Sequence, residues 1–293
     1  MPPSIPSPNL HVRPISLTER SFLQFGTLIQ NPAHNPSSPT TNRVVSANQG
    51  SALKYIDIAH ITNYYPQSPS KKDAKPVMNM FVSSPRKLRQ QNGGEMVFDV
   101  KIMERHPYTP QTFIPLGLSK NSKTKYLVIV APTLPAGASG DSNSESPNLS
   151  SFTNSSPSLA KTQNTIQQNP PSSKPQNLSS YTNSSPNLAK SQSQIAQNQE
   201  TSLPDFSPSS LWPRGPGLPD LTRVTAFIAD GSQAVTYGAG TWHAPIVVLG
   251  EGDVDFVVVQ WANGVPSDDC QEIILEGGEV TVGVGEMKMR ARL

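Results

Sequence analysis

Short runs of β-branched and aromatic residues, separated by Gly, Pro and Asp, recur along two stretches of the chain. The clearest runs predict strands at 126–130, 224–228, 246–249, 256–260 and 279–284. β-Branched side chains pack well on a pleated surface and lose freedom in a helix, so these runs favour strands. Many short strands between turn residues are typical of an antiparallel β-sandwich or barrel, and we expect a mainly β fold.

One segment near the N-terminus predicts a helix instead. Residues 16–28 have amphipathic spacing, with Ser16 as the N-cap, Glu19 completing a capping box and Gly26 as the stop. We expect only a few such short helices in the whole fold.

Residues 132–220 lack the hydrophobic pattern of strands. Ser, Asn, Gln and Pro dominate, Val is absent, and the stretch 148–163 returns at 177–192 with thirteen of sixteen positions identical. Such a sequence buries too little apolar surface to offset the entropy of ordering it. We therefore expect a long disordered insertion at 132–220 within one domain, whose two parts are 1–131 and 221–293.

Charge and composition narrow the classes of function. The 293 residues carry a formal net charge of +2 and are 15% charged, which argues against a polycationic nucleic-acid binder. The chain has no apolar stretch of the ~18 residues that a spanning helix needs, and it shows no signal-peptide pattern. The sequence predicts a soluble cytoplasmic protein without nucleic-acid or membrane partners.

Cys270 is the only cysteine, which excludes an intramolecular disulfide and a zinc site built from cysteines. We expect a buried thiol, because Cys packs as a small hydrophobic residue. The nearby carboxylates of Asp268, Asp269 and Glu272 should raise its pKa and make it a poor nucleophile.

The first group of candidate chemical residues is Glu104-Arg105-His106, with Gln111 shortly after it. It supplies an acceptor, a permanent cation and a titratable imidazole, the set needed to hold a carboxylate and move protons. In a strand, alternation would place Glu104 and His106 on one face and Arg105 on the other. The alternative interpretation is a charged strand end that faces solvent.

The second group, Tyr237 followed by Trp242-His243, precedes the predicted strand at 246–249. An imidazole here serves either proton transfer or a structural hydrogen bond. The motifs of P-loop, metalloprotease and nucleophile-elbow enzymes are absent. A metal site of three histidines would require His60, His106 and His243 to meet, which their spacing does not support.

Taken in order, eight segments resemble the ureidoglycolate lyase family of allantoin degradation, in its fungal type. The resemblance covers about 200 residues and leaves out 132–220. Its motifs are Phe22-Leu-Gln-Phe-Gly-Thr-Leu-Ile29, Asn48-Gln-Gly50, Glu104-Arg-His-Pro-Tyr-Thr-Pro-Gln-Thr-Phe-Ile-Pro115, Tyr126-Leu-Val-Ile-Val-Ala131, Ala226-Phe-Ile-Ala-Asp-Gly231, Gly240-Thr-Trp-His-Ala-Pro245, Asp255-Phe-Val-Val-Val and Asp268-Asp-Cys-Gln-Glu272.

The resemblance implies a cupin-like catalytic domain, divided into 1–131 and 221–293, that forms a homodimer through sheet edges. It also implies a carbon–nitrogen lyase that cleaves (S)-ureidoglycolate into glyoxylate and urea. This elimination needs a base, an acid and a cation for the carboxylate. We assign proton exchange to His243, Glu104 and His106, and the substrate carboxylate to Arg105. The other substrate-binding candidates are Gln111, Tyr237, Trp242 and Asn48.

Two positions depart from the bacterial pattern of the family. Ala244 stands where a second His is common, and Gln260-Trp261 stands where an acidic residue and Arg are common. A divalent metal, nickel in bacterial relatives, is therefore a candidate cofactor that the residues do not establish. Two alternatives stay open: a cupin-like small-molecule binding or regulatory protein without catalysis, and an amidohydrolase that releases ammonia.

Overall fold

A computed structural model of the chain describes residues 2–34, 43–91, 93–134 and 217–285. The strands before the insertion are β1 (Ser4–Pro6), β2 (Leu10–Val12), β3 (Ile15–Ser16), β4 (Gly26–Gln30), β5 (Val44–Ala47), β6 (Ala52–Tyr55), β7 (Lys75–Ser83), β8 (Arg89–Gln90), β9 (Met96–Val100), β10 (Ile102–Arg105), β11 (Gln111–Leu116) and β12 (Lys125–Ala131). Those after it are β13 (Thr225–Ala229), β14 (Gln233–Tyr237), β15 (Trp242–His243), β16 (Val247–Leu249), β17 (Val254–Ala262), β18 (Gln271–Glu276) and β19 (Val280–Gly283).

The described part of the chain is mainly β, as the hydrophobic pattern predicts. The five predicted strands correspond to β12, β13, β16, β17 and β19, with ends that differ by one or two residues. The helices are short: α1 (Glu19–Phe22), α2 (Pro266–Asp269) and 3₁₀ turns at Pro32–His34, Asn48–Gly50, Tyr65–Gln67 and Leu221–Arg223. No helix among the described residues is long and apolar enough to cross a membrane.

Three sheets and a hairpin contain the strands. The central sheet has the order β1-β18-β10-β15-β12-β13-β3, with β16 also paired to β12. The second sheet has the order β4-β14-β11-β17-β7, and the third has the order β2-β19-β9-β8. Strands β5 and β6 form a separate hairpin. Most pairs are antiparallel; β1 with β18, β3 with β13 and β2 with β19 are parallel.

The central sheet is covered on both faces, and each face has its own hydrophobic core. On β12, Leu127 and Ile129 belong to the core shared with the third sheet, whereas Val128 and Val130 belong to the core shared with the second sheet. Alternation along this strand explains its nearly continuous apolar sequence, because both faces are buried.

The predicted helix at 16–28 is wrong in its extent. Only Glu19–Phe22 is helical, and the N-cap is Thr18, which forms a capping box with Ser21. Ser16 instead ends β3, and Gly26 begins β4. The apolar residues of this segment, including Phe22, Phe25 and Leu28, pack in the second-sheet core. Tertiary packing therefore outweighs the local helical pattern.

Most of the predicted insertion, 135–216, lies outside the described residues. Its two described ends meet, because Leu134 N donates to Leu218 O at 2.8 Å and Asp220 N donates to Pro132 O at 2.7 Å. The chain thus leaves and re-enters the domain at one place, between β12 and β13.

Candidate active site

Strands β18, β10 and β15 lie side by side in the central sheet, and their polar side chains form a separate group on each face of the sheet. Glu104 pairs with Glu272 on β18 and with His243 on β15, so these three residues form one row across the sheet. The next residues along the strands, Arg105 with Gln271 and Trp242, belong to the opposite face. The first row lies on the face shared with the second sheet.

His243 is completely buried and firmly oriented. Its Nδ1 lies 2.9 Å from the carbonyl oxygen of Thr241, and its ring stacks on that of Tyr237 at 4.0 Å and 10°. Because a carbonyl only accepts, Nδ1 carries the hydrogen. Nε2 therefore points away from that bond, and it lies 3.6 Å from Oε1 of Glu104.

His106 follows directly after β10 and reaches the same place. Its Nδ1 donates to the carbonyl oxygen of Asp269 at 2.5 Å, and its ring centre lies 5.8 Å from that of His243. Burial lowers the pKa of His106, and the charge of Glu104 only partly opposes this shift. The imidazole is therefore neutral near pH 7, with a lone pair on Nε2.

Glu104 lies between the two histidines and Cys270. Burial acts to raise its pKa, but the nearby imidazole of His243, with smaller contributions from His106 and the Cys270 thiol, lowers it on balance. The carboxyl group is thus ionised at neutral pH. Cys270 donates to Oε2 at 3.8 Å, and burial, followed by the charges of Glu104 and Glu272, raises the pKa of this thiol well above its usual value.

The second sheet supplies two further polar side chains. Gln111 on β11 pairs directly with Tyr237 on β14, and both are buried. Gln111 Nε2 donates to Oε1 of Gln260 at 2.6 Å, which leaves its own oxygen free to accept. Burial raises the pKa of Tyr237 well above its usual value, so its hydroxyl keeps its proton.

Four buried polar atoms converge here without a hydrogen-bond partner among the described residues: His106 Nε2, His243 Nε2, Gln111 Oε1 and Tyr237 Oη. Buried polar groups are nearly always paired, and leaving one unpaired costs about 1–3 kcal/mol. Their concentration in one place marks a site that binds a polar ligand. We call Glu104, His106, Gln111, Tyr237 and His243 the polar cluster.

The donor atoms of Glu104, His106 and His243 all lie within 4.8 Å of one another. With Nδ1 of each histidine already donating, two lone pairs and a carboxylate face each other. A positive charge, either a proton or a metal ion, is needed to hold them together. The set therefore fits a divalent cation. The ligand atoms of a second group, Glu104, Cys270 and Glu272, also lie within 4.8 Å of one another.

A model of the ureidoglycolate lyase family matches residues 9–282 of the chain.

The chain belongs to the ureidoglycolate lyase family.

Among curated relatives, the ureidoglycolate lyase of Schizosaccharomyces pombe is 26% identical over 256 residues, which cover 87% of each chain. That of Saccharomyces cerevisiae is 26% identical over 276 residues, covering 91% of this chain and 95% of the relative. A Burkholderia mallei ureidoglycolate lyase is 21% identical over 243 residues, covering 83% of this chain and 78% of its own. The resemblance in the sequence motifs is thus confirmed at the level of the family.

The structure brings together five of the eight site residues predicted from the family motifs, namely the polar cluster. Arg105 and Trp242 lie nearby but on the opposite face of the central sheet. Asn48 is exposed in the turn between β5 and β6, where its carbonyl oxygen accepts from Ser51. Substrate roles for Arg105, Trp242 and Asn48 stay predictions from the resemblance.

Three residues around the polar cluster were not among the predicted site residues. Asp269 orients His106 through its carbonyl, and its carboxylate accepts from Tyr65 Oη at 2.7 Å and from two backbone N–H groups. Cys270 contacts Glu104, and Gln260 contacts Gln111. The clue in the sequence for Asp269 and Cys270 was the motif 268–272, which runs from the end of α2 into β18. His60 is exposed and lies outside the donor groups.

A surface cavity lies elsewhere. It has a volume of about 460 Å³ and is lined by residues that include Lys120, Lys125 and Asp230. It shares no residue with the polar cluster. The site is therefore identified by its unpaired buried atoms, and not by the size of a cavity.

Proposed function

We propose that this chain cleaves (S)-ureidoglycolate into glyoxylate and urea, a step of allantoin degradation. The observation that carries the proposal is the polar cluster, in a chain of the ureidoglycolate lyase family. Four of its buried polar atoms have no hydrogen-bond partner in the described part of the chain. In the reaction, the hydroxyl O–H gives up its proton and the oxygen forms a carbonyl as the C–N bond breaks. The departing ureido nitrogen takes up a proton, so glyoxylate and urea balance the substrate.

Proton transfer falls to Glu104 and His243. Their facing atoms are 3.6 Å apart, and Glu104 is ionised because its histidine neighbours lower its pKa. We infer that this pair takes the hydroxyl proton and returns it to the ureido nitrogen. Positioned acid–base groups of this kind contribute about 10²–10⁴-fold to a rate.

The polar groups of the second sheet suit the ureido part of the substrate. Gln111 Oε1 is an acceptor for its N–H groups, and Tyr237 Oη is a neutral donor for an oxygen. A site with buried groups that require hydrogen bonds rejects analogues that lack them. These two residues would therefore select a ureido compound over a plain hydroxy acid.

As the alternative to a proton shared by Glu104 and His243, the same geometry supports a divalent cation, with nickel as the candidate from the family resemblance. Glu104, His106 and His243 would hold it through one carboxylate oxygen and two Nε2 atoms. When bound, such an ion polarises an oxygen of the substrate. Ala244 follows His243 and adds no further donor, so the protein would supply these three ligands.

The deciding experiment measures glyoxylate, urea and ammonia together after purified protein is mixed with (S)-ureidoglycolate. Equal amounts of glyoxylate and urea support the lyase, whereas ammonia would indicate an amidohydrolase. Binding without turnover would favour the non-catalytic alternative. A lasting loss of activity after chelation, restored by Ni²⁺, would assign the positive charge in the polar cluster to a metal. Full activity after chelation would assign it to a proton.

Glu104→Gln should lower kcat by about 10²-fold, because the amide cannot take up a proton. A matched control is Glu95→Gln, since Glu95 forms the other carboxylate–imidazole pair, with His11, at 3.3 Å on the surface. The control should keep the rate of the unchanged protein. Equal losses in the two variants would contradict the assignment of Glu104.

We also propose that the chain forms a homodimer through the second sheet at its β7 edge. Met80 on β7 lies in register with Val257 and Ile114, and the outer face of this row is apolar and partly exposed. Met78 and Val82, on the same face, are 72% and 65% exposed. An open, apolar strand edge favours pairing with a second copy.

The dimer is tested by sedimentation velocity. Met80→Asp should shift the protein to monomer, because it places a charge in the apolar row. Ile228→Lys is the control, since Ile228 is 37% exposed on the central sheet. A monomeric unchanged protein, or a dimeric Met80→Asp variant, would refute this interface. A cytoplasmic location stays a prediction from the sequence, to be tested by cell fractionation.

A further inference from the structure

Strand β15 pairs with β10 over a very short stretch of backbone. It consists of Trp242 and His243 only, and its register with β10 comprises the single pair Glu104–His243. The two side chains that exchange protons in the proposed function therefore depend on other contacts for their separation. Thr241, Tyr237 and the pairing of β15 with β12 orient His243 itself, and a further set of contacts on the opposite face of the sheet joins β15 to β10.

Arg105 and Trp242 are the neighbours of that pair, one residue along each strand. The guanidinium of Arg105 lies 4.6 Å from the centre of the Trp242 ring, within the range of a cation–π interaction. Its Nε donates to Oε1 of Gln271 on β18 at 2.9 Å. Arg105 thus links β15, β10 and β18, the three strands that carry the row of Glu104.

The carbonyl oxygen of Gly217 completes the arrangement. It accepts from Arg105 Nη1 at 3.0 Å and from Trp242 Nε1 at 3.1 Å. The backbone of Gly217 packs closely on that of Leu134, since a Cβ at this position would lie 2.1 Å from the carbonyl oxygen of Leu134. Only glycine allows this approach, so the returning end of the insertion is placed to hold both side chains.

The contacts of Arg105 with protein groups indicate a structural role for its charge. It is only 1% exposed, and its hydrogen-bond acceptors are neutral oxygens. Burial lowers its pKa to about 10, with Tyr108 acting in the opposite direction, so the guanidinium stays charged at neutral pH. Two of its nitrogens, Nε and Nη1, and the face of its guanidinium are engaged by the protein itself.

We propose that Arg105, Trp242 and the Gly217 carbonyl form a clamp that sets the separation of Glu104 and His243. Arg105 is then a positioning residue, and it is not the anchor of the substrate carboxylate. The inference rests on the proposed function for its kinetic test. A misplacement of about 1 Å at reacting groups can cost about 10²-fold in rate.

The kinetic test compares Arg105→Met with Trp242→Phe. The clamp predicts that kcat falls about 10- to 100-fold in Arg105→Met, while KM and the inhibition constant of glyoxylate stay within about threefold. Trp242→Phe keeps a ring but loses the N–H, so its loss should be smaller. The double variant should lose less than the product of the single losses, because both changes break one unit. A rise of tenfold or more in both KM and the glyoxylate inhibition constant, with kcat retained, would overturn the proposal and make Arg105 the carboxylate anchor.

Arg86→Met is the matched control. Arg86 lies 5.5 Å over the ring of Phe98 on β9, so its replacement removes a similar contact that involves the third sheet and no residue of the polar cluster. Its kcat should equal that of the unchanged protein. An equal loss of kcat in Arg86→Met would show a general loss of stability and would overturn the clamp.

A readout without turnover separates this inference from the proposed function. The imidazole signal of His243 in a ¹H–¹⁵N spectrum can be assigned with His243→Gln. It should shift in Arg105→Met and stay in place in Arg86→Met. An unmoved signal would refute the clamp even if the enzyme proves to be a lyase, and a shifted signal in a protein that does not cleave ureidoglycolate would support the clamp alone. If Arg105→Met does not fold, Trp242→Phe and Gly217→Ala carry the same comparison.

Discussion

Tyr237→Phe removes a single oxygen atom from the centre of the polar cluster. The hydroxyl is buried, has no hydrogen-bond partner among the described residues, and keeps its proton because burial raises its pKa. The ring stacks on His243 and packs against Phe113, so it will stay in place without the oxygen. The substitution therefore isolates the effect of this hydroxyl on the free energy of unfolding and on kcat.

The structure sets the expected size of both effects. A buried hydroxyl without a partner costs about 1–3 kcal/mol of folding free energy, so removing it should stabilise the free protein by about 1–2 kcal/mol. For a folded part of about 200 residues, this raises Tm by roughly 2–8 °C. If Oη donates to the substrate in the transition state, kcat should fall by about 10²-fold. The variant is thus expected to be more stable and less active.

Tyr126→Phe is the control that makes the comparison sharp. Tyr126 is equally buried and lies on β12 in the same core, but its hydroxyl donates to the carbonyl oxygen of Gln233. Its loss should lower the free energy of unfolding by about 1 kcal/mol and leave kcat unchanged. Calorimetry gives the change in unfolding free energy, and steady-state kinetics give the change in kcat, for each of the two variants.

Opposite behaviour would refute the reasoning. A Tyr237→Phe variant that is destabilised as much as Tyr126→Phe would show that the hydroxyl has a partner in the free protein. An unchanged kcat would remove Tyr237 from the chemical step. Either result would also weaken the argument that unpaired buried atoms mark this site.

Three further predictions concern the surroundings of the polar cluster. Burial lowers the pKa of His106 in the folded protein below its usual 6.5, so its contribution to stability is complete above pH 6.5 and is lost as the pH falls through the folded value. Between pH 7 and 5, Tm should therefore fall less steeply in His106→Gln than in the unchanged protein. Equal slopes in the two proteins would contradict this. Gln260→Leu removes the acceptor of Gln111 and should raise KM about fivefold, since a hydrogen bond of this kind is worth about 1 kcal/mol. An unchanged KM would separate Gln111 from the substrate. Replacing 136–216 by a short Gly/Ser linker, with Gly217 kept, should change the free energy of unfolding by no more than about 1 kcal/mol, and a protein that no longer folds would exclude this.

Much of the fold was open to prediction because it depends on local pattern. The runs at 126–130 and 256–260 are strands because β-branched residues favour a pleated surface, buried on both faces in the first run and on one face in the second. Alternation also placed Glu104 and His106 together with Arg105 opposite, as the structure confirms. The burial of Cys270 and the raised pKa of its thiol were predicted as well, although burial is the largest cause and the carboxylates come second.

The helix at the N-terminus shows where local pattern fails. The sequence offers capping residues at Ser16 and Glu19, yet the helix lasts one turn and Gly26 starts a strand that pairs with β14. Short helices gain little free energy from propensity alone, so packing decides their extent. Here Phe22 and Phe25 gain more by packing in the second-sheet core than by continuing a helix.

The sequence by itself determined the β class, the two groups of chemical residues and the family. Only the tertiary structure decided which of those residues meet. Glu104 meets Cys270 across 166 positions of sequence, and Arg105 meets the carbonyl of Gly217 across 112. Such contacts arise from strand pairing between distant segments, and no local periodicity encodes which strands become neighbours. The unpaired atoms that mark the site exist only once two sheets have closed over them.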